Sequence, residues 1–196
     1  MSGSRLRGML LAASAVLAGL VLLAWSQPWF TFTFTAASGD PAPLQVGGDV
    51  AASGLAPLAL TVLAVVAALA LAGPVFRAVF GVLEALVGAA IVAVCAVTLG
   101  DPVASSASAI TEVTGESGHE AVAALVASTS TTAWPTVAIV LGVLVALVGA
   151  LVVVTGRRWP VAGRRYSRTR TEAVASDPIA EWDALSDGDD PTAPSR

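Results

Sequence analysis

Glu84 is the only ionisable side chain inside four long apolar stretches of this 196-residue chain, at about 9–25, 55–72, 78–99 and 136–154. An intramembrane carboxylate is by default a candidate for proton or cation coupling. The competing reading is structural. Glu84 follows Arg77 by two helical turns, so a glutamate snorkelling toward the nearer surface and paired with that arginine explains it as well, and this plainer reading is preferred. His119, the only histidine, stands beside Glu116 and Glu120. Three flexible donors in an exposed loop make a poor metal or pH-sensing site, so no metal is expected. Cys95 reads as a small apolar residue in a packed helix, and a single thiol forms no internal disulfide. No Gly-rich phosphate loop, paired active carboxylates or Ser/His/Asp set stands out. The chain therefore reads as a non-enzyme without a cofactor.

The elements around these residues are those of a membrane protein. The hydrophobic fraction is 56 % and 12 % of residues are charged, against roughly 25 % charged in soluble domains. There is no lysine, and the ten arginines segregate. Arg5 and Arg7 precede the first apolar stretch, Arg77 lies between the second and third, and the remaining seven follow the fourth. The loops 26–54 and 100–135 contain no basic residue. That is the positive-inside pattern of a multi-pass plasma-membrane protein with four spans and both termini in the cytoplasm. The expected fold is all-α, a four-transmembrane-helix bundle occupying 1–156, with a small extracellular β-hairpin and a cytoplasmic tail from 157 to 196. The first stretch has the charged start of a signal peptide, but Trp25 and Pro28 make a poor cleavage site, so it reads as a retained span.

Gly73-Pro74 ends the second stretch, and the short turn to Arg77 makes spans two and three antiparallel neighbours. Gly81, Ala85 and Gly88 share one face of the third span. Gly142, Ala146 and Gly149 do so in the fourth. Small residues let helix backbones approach closely in lipid, so these faces are candidate contacts. Trp25, Trp29, Trp134, Trp159 and Tyr166 fall at the ends of spans, where aromatic rings with a polar edge anchor in the headgroup layer.

The segment Trp29-Phe30-Thr31-Phe32-Thr33-Phe34-Thr35 alternates with period two, as a strand with one apolar face does. Gly39-Asp40-Pro41 reads as a turn and Leu44-Gln45-Val46 as a returning strand. Two strands alone are marginal in water, so the membrane surface or the second loop must cover the phenylalanines. In that loop Ser117-Gly118-His119-Glu120 has the form of a capping box, which predicts a short amphipathic helix from about Gly118 to Ala127.

The tail divides in two. Arg157, Arg158, Arg164, Arg165, Arg168 and Arg170 form an acid-free stretch suited to anionic headgroups. Residues 171–196 carry seven acids and one arginine, and most of that stretch reads as disordered. Inside it, Asp177 and Pro178 can start a short helix that sets Ile179, Trp182 and Leu185 on one face, a candidate partner-binding element. Acidic outer loops speak against nucleic acid. Lipids are expected contacts, and a homo-oligomer is open.

Several pieces together resemble a known family: Gln27-Pro28-Trp29, Gly54-Leu55-Ala56-Pro57, Thr132-Ala133-Trp134-Pro135, Gly156-Arg157-Arg158-Trp159-Pro160, Arg165-Tyr166 and Asp189-Asp190-Pro191-Thr192. The chain resembles the tryptophan-biosynthesis-associated membrane proteins of actinobacteria along nearly its whole length. The resemblance implies an accessory role in tryptophan biosynthesis and defines no catalytic residue. A tryptophan-pathway enzyme or another membrane protein then becomes an expected partner. The alternative is a small transporter or exporter of tryptophan or an aromatic precursor, acting as an oligomer.

Overall fold

A computed structural model describes residues 3–35 and 42–156. In chain order these form α1 (Gly3–Trp25), β1 (Pro28–Phe34), β2 (Leu44–Gly47), α2 (Gly48–Ala51), α3 (Leu55–Leu71), α4 (Pro74–Gly100), α5 (Pro102–Ser105), α6 (Ala107–Thr114), α7 (His119–Leu125), β3 (Val126–Thr131) and α8 (Trp134–Thr155). Among the described residues three helices, Ser4–Trp25, Pro74–Gly100 and Trp134–Thr155, are long and apolar enough to cross a membrane. The fourth, Leu55–Leu71, is as apolar but has 17 residues.

The four long helices pack in a ring. α3 lies against α1 and α4, and α8 lies against α4 and α1, which leaves α1 and α4 facing each other across the diagonal. The closest pair is α4 with α8. A Cβ at Gly149 would come within 2.5 Å of Ala85 N, and one at Gly88 would meet the backbone of Gly142 and Ala146. The small-residue faces expected from spacing thus meet, in antiparallel register, with no room for a side chain at these positions.

The helix starts differ from the sequence expectation. α4 begins at Pro74, so Arg77 lies within its first turn instead of between two spans. Proline lacks the N–H that a first helical residue leaves unused, and its φ is already helical. α1 likewise extends back through Arg7 and Arg5.

At the opposite end from Arg7 and Arg77 sits a cap. The expected hairpin is a three-stranded sheet, order β2-β1-β3, with β1 antiparallel to both neighbours. β3, Val126–Thr131, is the correction: its first two residues fall in the helix expected to Ala127, and its serines and threonines carry no apolar alternation that marks a strand. Their backbone nevertheless pairs with the free edge of β1, and Thr33 Oγ1 meets Ser128 Oγ at 2.7 Å. Phe30, Phe32 and Phe34 turn inward on the predicted period. Trp29 is buried beside them because the β1–β2 register slips between Pro28 and Phe30, a bulge that puts two consecutive side chains on one face.

The second loop covers that face as required. Ile110 of α6 and Val122 of α7 belong to the same core as Trp29, Phe30 and Phe32. The helix expected near 118–127 is present as α7, but it ends at Leu125. Its N-cap is Gly118, with φ at 102° and no side-chain cap bond, so the capping box does not form. Asp101 caps α5 instead, accepting from Ala104 N at 2.9 Å.

Candidate functional site

The buried face of α4 runs Gly81, Glu84, Val87, Gly88, Ile91, Cys95. Steps of three and four residues put them on one side, and that side faces the bundle. On α1, Leu10, Ser14, Ala18 and Val21 are buried at the same spacing. These two faces meet across the diagonal at one polar contact. Ser14 Oγ lies 2.5 Å from Glu84 Oε1 and 3.1 Å from the Leu10 carbonyl oxygen. Glu84 is 0 % exposed and Ser14 1 %. Among the described residues Glu84 Oε2 has no hydrogen-bond partner.

The contact sits deep. Ser14 is midway along α1, eleven residues from either Gly3 or Trp25, or ~16 Å from each end at ~1.5 Å per residue. It also divides the core. Toward the cap lies one apolar cluster that includes Ala18, Val62, Val87 and Val145. Toward the arginine end lies another, of Leu10, Val65, Leu69 and Val152. The Ser14–Glu84 layer falls between them on every helix.

This placement corrects the snorkelling reading of Glu84. Its carboxyl group points inward and meets a hydroxyl, not a guanidinium. Arg77, 3 % exposed, directs Nε to the Ala72 carbonyl at 3.0 Å and Nη1 to the Gly156 carbonyl at 3.4 Å. These carbonyls end α3 and α8, where helix C-termini favour a cation. Arg7 does the same for α3, donating from Nη2 to the Ala70 carbonyl. The arginines stitch the helix ends together and leave Glu84 to Ser14. Sequence reasoning passed over Ser14, although a signal existed: it is the only polar side chain between Met9 and Trp25.

The other candidate residues are dispersed. Cys95 is buried on α4, about three turns beyond Glu84 toward the cap. His119 Nε2 lies 3.8 Å from Asp101 Oδ2 on the surface of the cap. Among the described residues no three His, Cys, Asp or Glu side chains gather as metal ligands. Trp25 and Trp134 are partly buried at the cap ends of α1 and α8 and pack on the main core. Trp29 departs from an interfacial anchor. It is wholly enclosed and its Nε1 donates to the Ala24 carbonyl at 2.8 Å. Trp159, Tyr166, the six arginines from Arg157 to Arg170, and Ile179, Trp182 and Leu185 lie outside the described residues, as does the Gly39-Asp40-Pro41 turn.

A family model described as tryptophan-associated transmembrane protein matches residues 11–192. The chain belongs to this family. Membership agrees with the apolar helices, and the matched region takes in both the bundle and the cap. No curated protein and no solved structure matches the chain. As a member of a transmembrane family, the chain places its buried carboxyl group where water is scarce. A lone carboxyl–hydroxyl pair there can hold or pass a proton. It is too poor in oxygens to cage calcium or magnesium, which take about six or more oxygen ligands.

Proposed function

We propose that the chain is a non-enzymatic accessory membrane protein of tryptophan biosynthesis, crossing the plasma membrane four times with both termini in the cytoplasm. The observation that carries the topology is the one-sided distribution of all ten arginines. The 17 residues of α3 reach ~26 Å, close to the ~30 Å hydrocarbon thickness. Packing of α3 between α1 and α4 supports the fourth crossing. The tail is the partner-facing part in this reading, with Arg157 to Arg170 on anionic lipid and Trp182 docking a pathway enzyme or another membrane protein.

Two experiments test it. Single cysteines at Ser38 and Ser117, in a Cys95→Ala background, should react with an impermeant thiol reagent in intact cells, and one at Ser176 should not. Labelling at Ser176 from outside would overturn the topology. Trp182→Ala should lose the partner in a crosslinked pull-down while membrane insertion is unchanged. Recovery of the same partners by a chain ending at Arg170 would remove the tail from the function.

A second reading, a small oligomeric carrier for tryptophan or an aromatic precursor, is favoured by the carboxyl group at the bundle centre. Purified protein in liposomes should then move tryptophan, anthranilate or indole under a gradient, and Glu84→Gln should stop it. Absence of flux for all three solutes would dispose of this reading.

A further inference from the structure

The Ser14 hydroxyl has one hydrogen and two acceptors within reach, Glu84 Oε1 at 2.5 Å and the Leu10 carbonyl at 3.1 Å. One hydroxyl hydrogen can be shared between two acceptors, but each contact is a full two-centre bond only if one acceptor brings its own proton. A carbonyl has none, so the arrangement with two full bonds is the one in which Glu84 carries the proton. The chain then runs from the Glu84 acid O–H to Ser14 Oγ, and from the Ser14 O–H to the Leu10 carbonyl. Serine bonding back to the carbonyl four residues earlier is ordinary in a helix.

The charges nearby point the same way. The other titratable groups on the four long helices are few. α1 carries Arg5 and Arg7, and α4 carries Arg77 and, toward the cap, Cys95. α3 and α8 carry no titratable side chain. Arg7 and Arg77 are directed at the carbonyls of Ala70, Ala72 and Gly156, and Arg5 lies a further half-turn toward the helix start. A carboxylate at Glu84 would be a buried charge held, among the described residues, by one hydroxyl, with Oε2 unserved. Isolated buried charges of that kind are strongly disfavoured.

We propose that Glu84 and Ser14 form a proton-binding site at the centre of the bundle, loaded when α1 and α4 are in contact and emptied when that layer admits water. Release is a simple transfer. The acid O–H of Glu84 breaks, its proton passes to a water molecule, and the electron pair stays on the carboxylate. The Ser14 O–H swings from the Leu10 carbonyl to Oε1, and Leu10 keeps its helical bond from the Ser14 N–H. Oε2 is then served by the entering water. Proton occupancy and the diagonal contact are thereby linked, because the charged form requires the water that the closed layer excludes. The site requires no transported solute, so it stands apart from both readings above.

Infrared spectroscopy of the full chain in lipid nanodiscs, titrated with pH, reads the site directly. The wild type should show a buried carboxylic-acid carbonyl band that disappears as pH rises, with matching growth of carboxylate absorption. Glu84→Gln, which keeps the shape and can still donate to Ser14 Oγ, should lose that band entirely. Ser14→Ala should retain it at a shifted frequency, because the acid has lost its acceptor. The Ser14→Ala shift assigns the band even if Glu84→Gln does not fold. An acid band that persists in Glu84→Gln, one unmoved by Ser14→Ala, or a wild type with no such band while the bundle is folded would each overturn the proposal. No solute gradient is applied, so the result is independent of whether the protein transports anything.

Discussion

The cap and the middle of the bundle solve the same packing problem with opposite residues. In the cap, Trp29, Phe30 and Phe32 fill the space between the sheet and the helix ends, and Ile110 and Val122 close it. In the bundle, α4 and α8 touch through Gly81, Ala85 and Gly88 on one side and Gly142, Ala146 and Gly149 on the other. The difference follows from the surroundings. A cap in contact with water gains free energy by hiding large apolar surface. Helices in lipid gain nothing by exchanging lipid contact for leucine contact, so close backbone approach takes over. Polar contacts divide similarly. The cap pairs hydroxyls at its exposed strands, as Thr33 does with Ser128. Among the described residues the middle of the bundle buries one pair of polar side chains, Ser14 with Glu84, between two apolar clusters.

The largest effect is expected where no side chain fits. Gly88→Leu forces the α4 and α8 backbones apart, and overpacking of even flexible cores costs about 1–3 kcal/mol. Rigid backbone on the far side puts this substitution at about 3 kcal/mol or more, and folded protein recovered from membranes by size-exclusion chromatography should collapse. Normal recovery would show that the α4–α8 seam is not what holds the bundle.

Phe32→Ala should cost about 3–5 kcal/mol by the usual cavity penalty, yet confined to the cap. The expected result is rapid proteolysis of residues 100–135 in intact spheroplasts with the helices still inserted. Joint loss of cap and bundle would show that the two regions fold as one unit.

The polar pairs sharpen the comparison. Ser14→Ala strands a buried acid and should destabilise by about 1–3 kcal/mol. Thr33→Val removes a partly exposed cross-strand bond worth about 0.2–1 kcal/mol. Chemical denaturation in mixed micelles should rank them in that order. The reverse order would place the decisive polar contact in the cap.

Much of this architecture is legible along the chain because its signals are local. Apolar length marks α1, α4 and α8, and small-residue spacing marks the seam between α4 and α8. Alternating phenylalanines mark β1. The resemblance to a tryptophan-associated family is legible in short motifs, and the family model matches residues 11–192. What the sequence leaves undecided depends on contacts between distant residues. β3 has no apolar period of its own and is a strand only because β1 offers it an edge. Trp29 reads as an interfacial ring, but a bulge in β1 turns it inward. Arg77 and Glu84 look like natural partners two turns apart. The ring of helices instead brings the ends of α3 and α8 to the arginine, and a serine 70 residues away to the glutamate. Local pattern determines which face of each helix is buried. Only the packing of all four decides which polar groups on those faces meet.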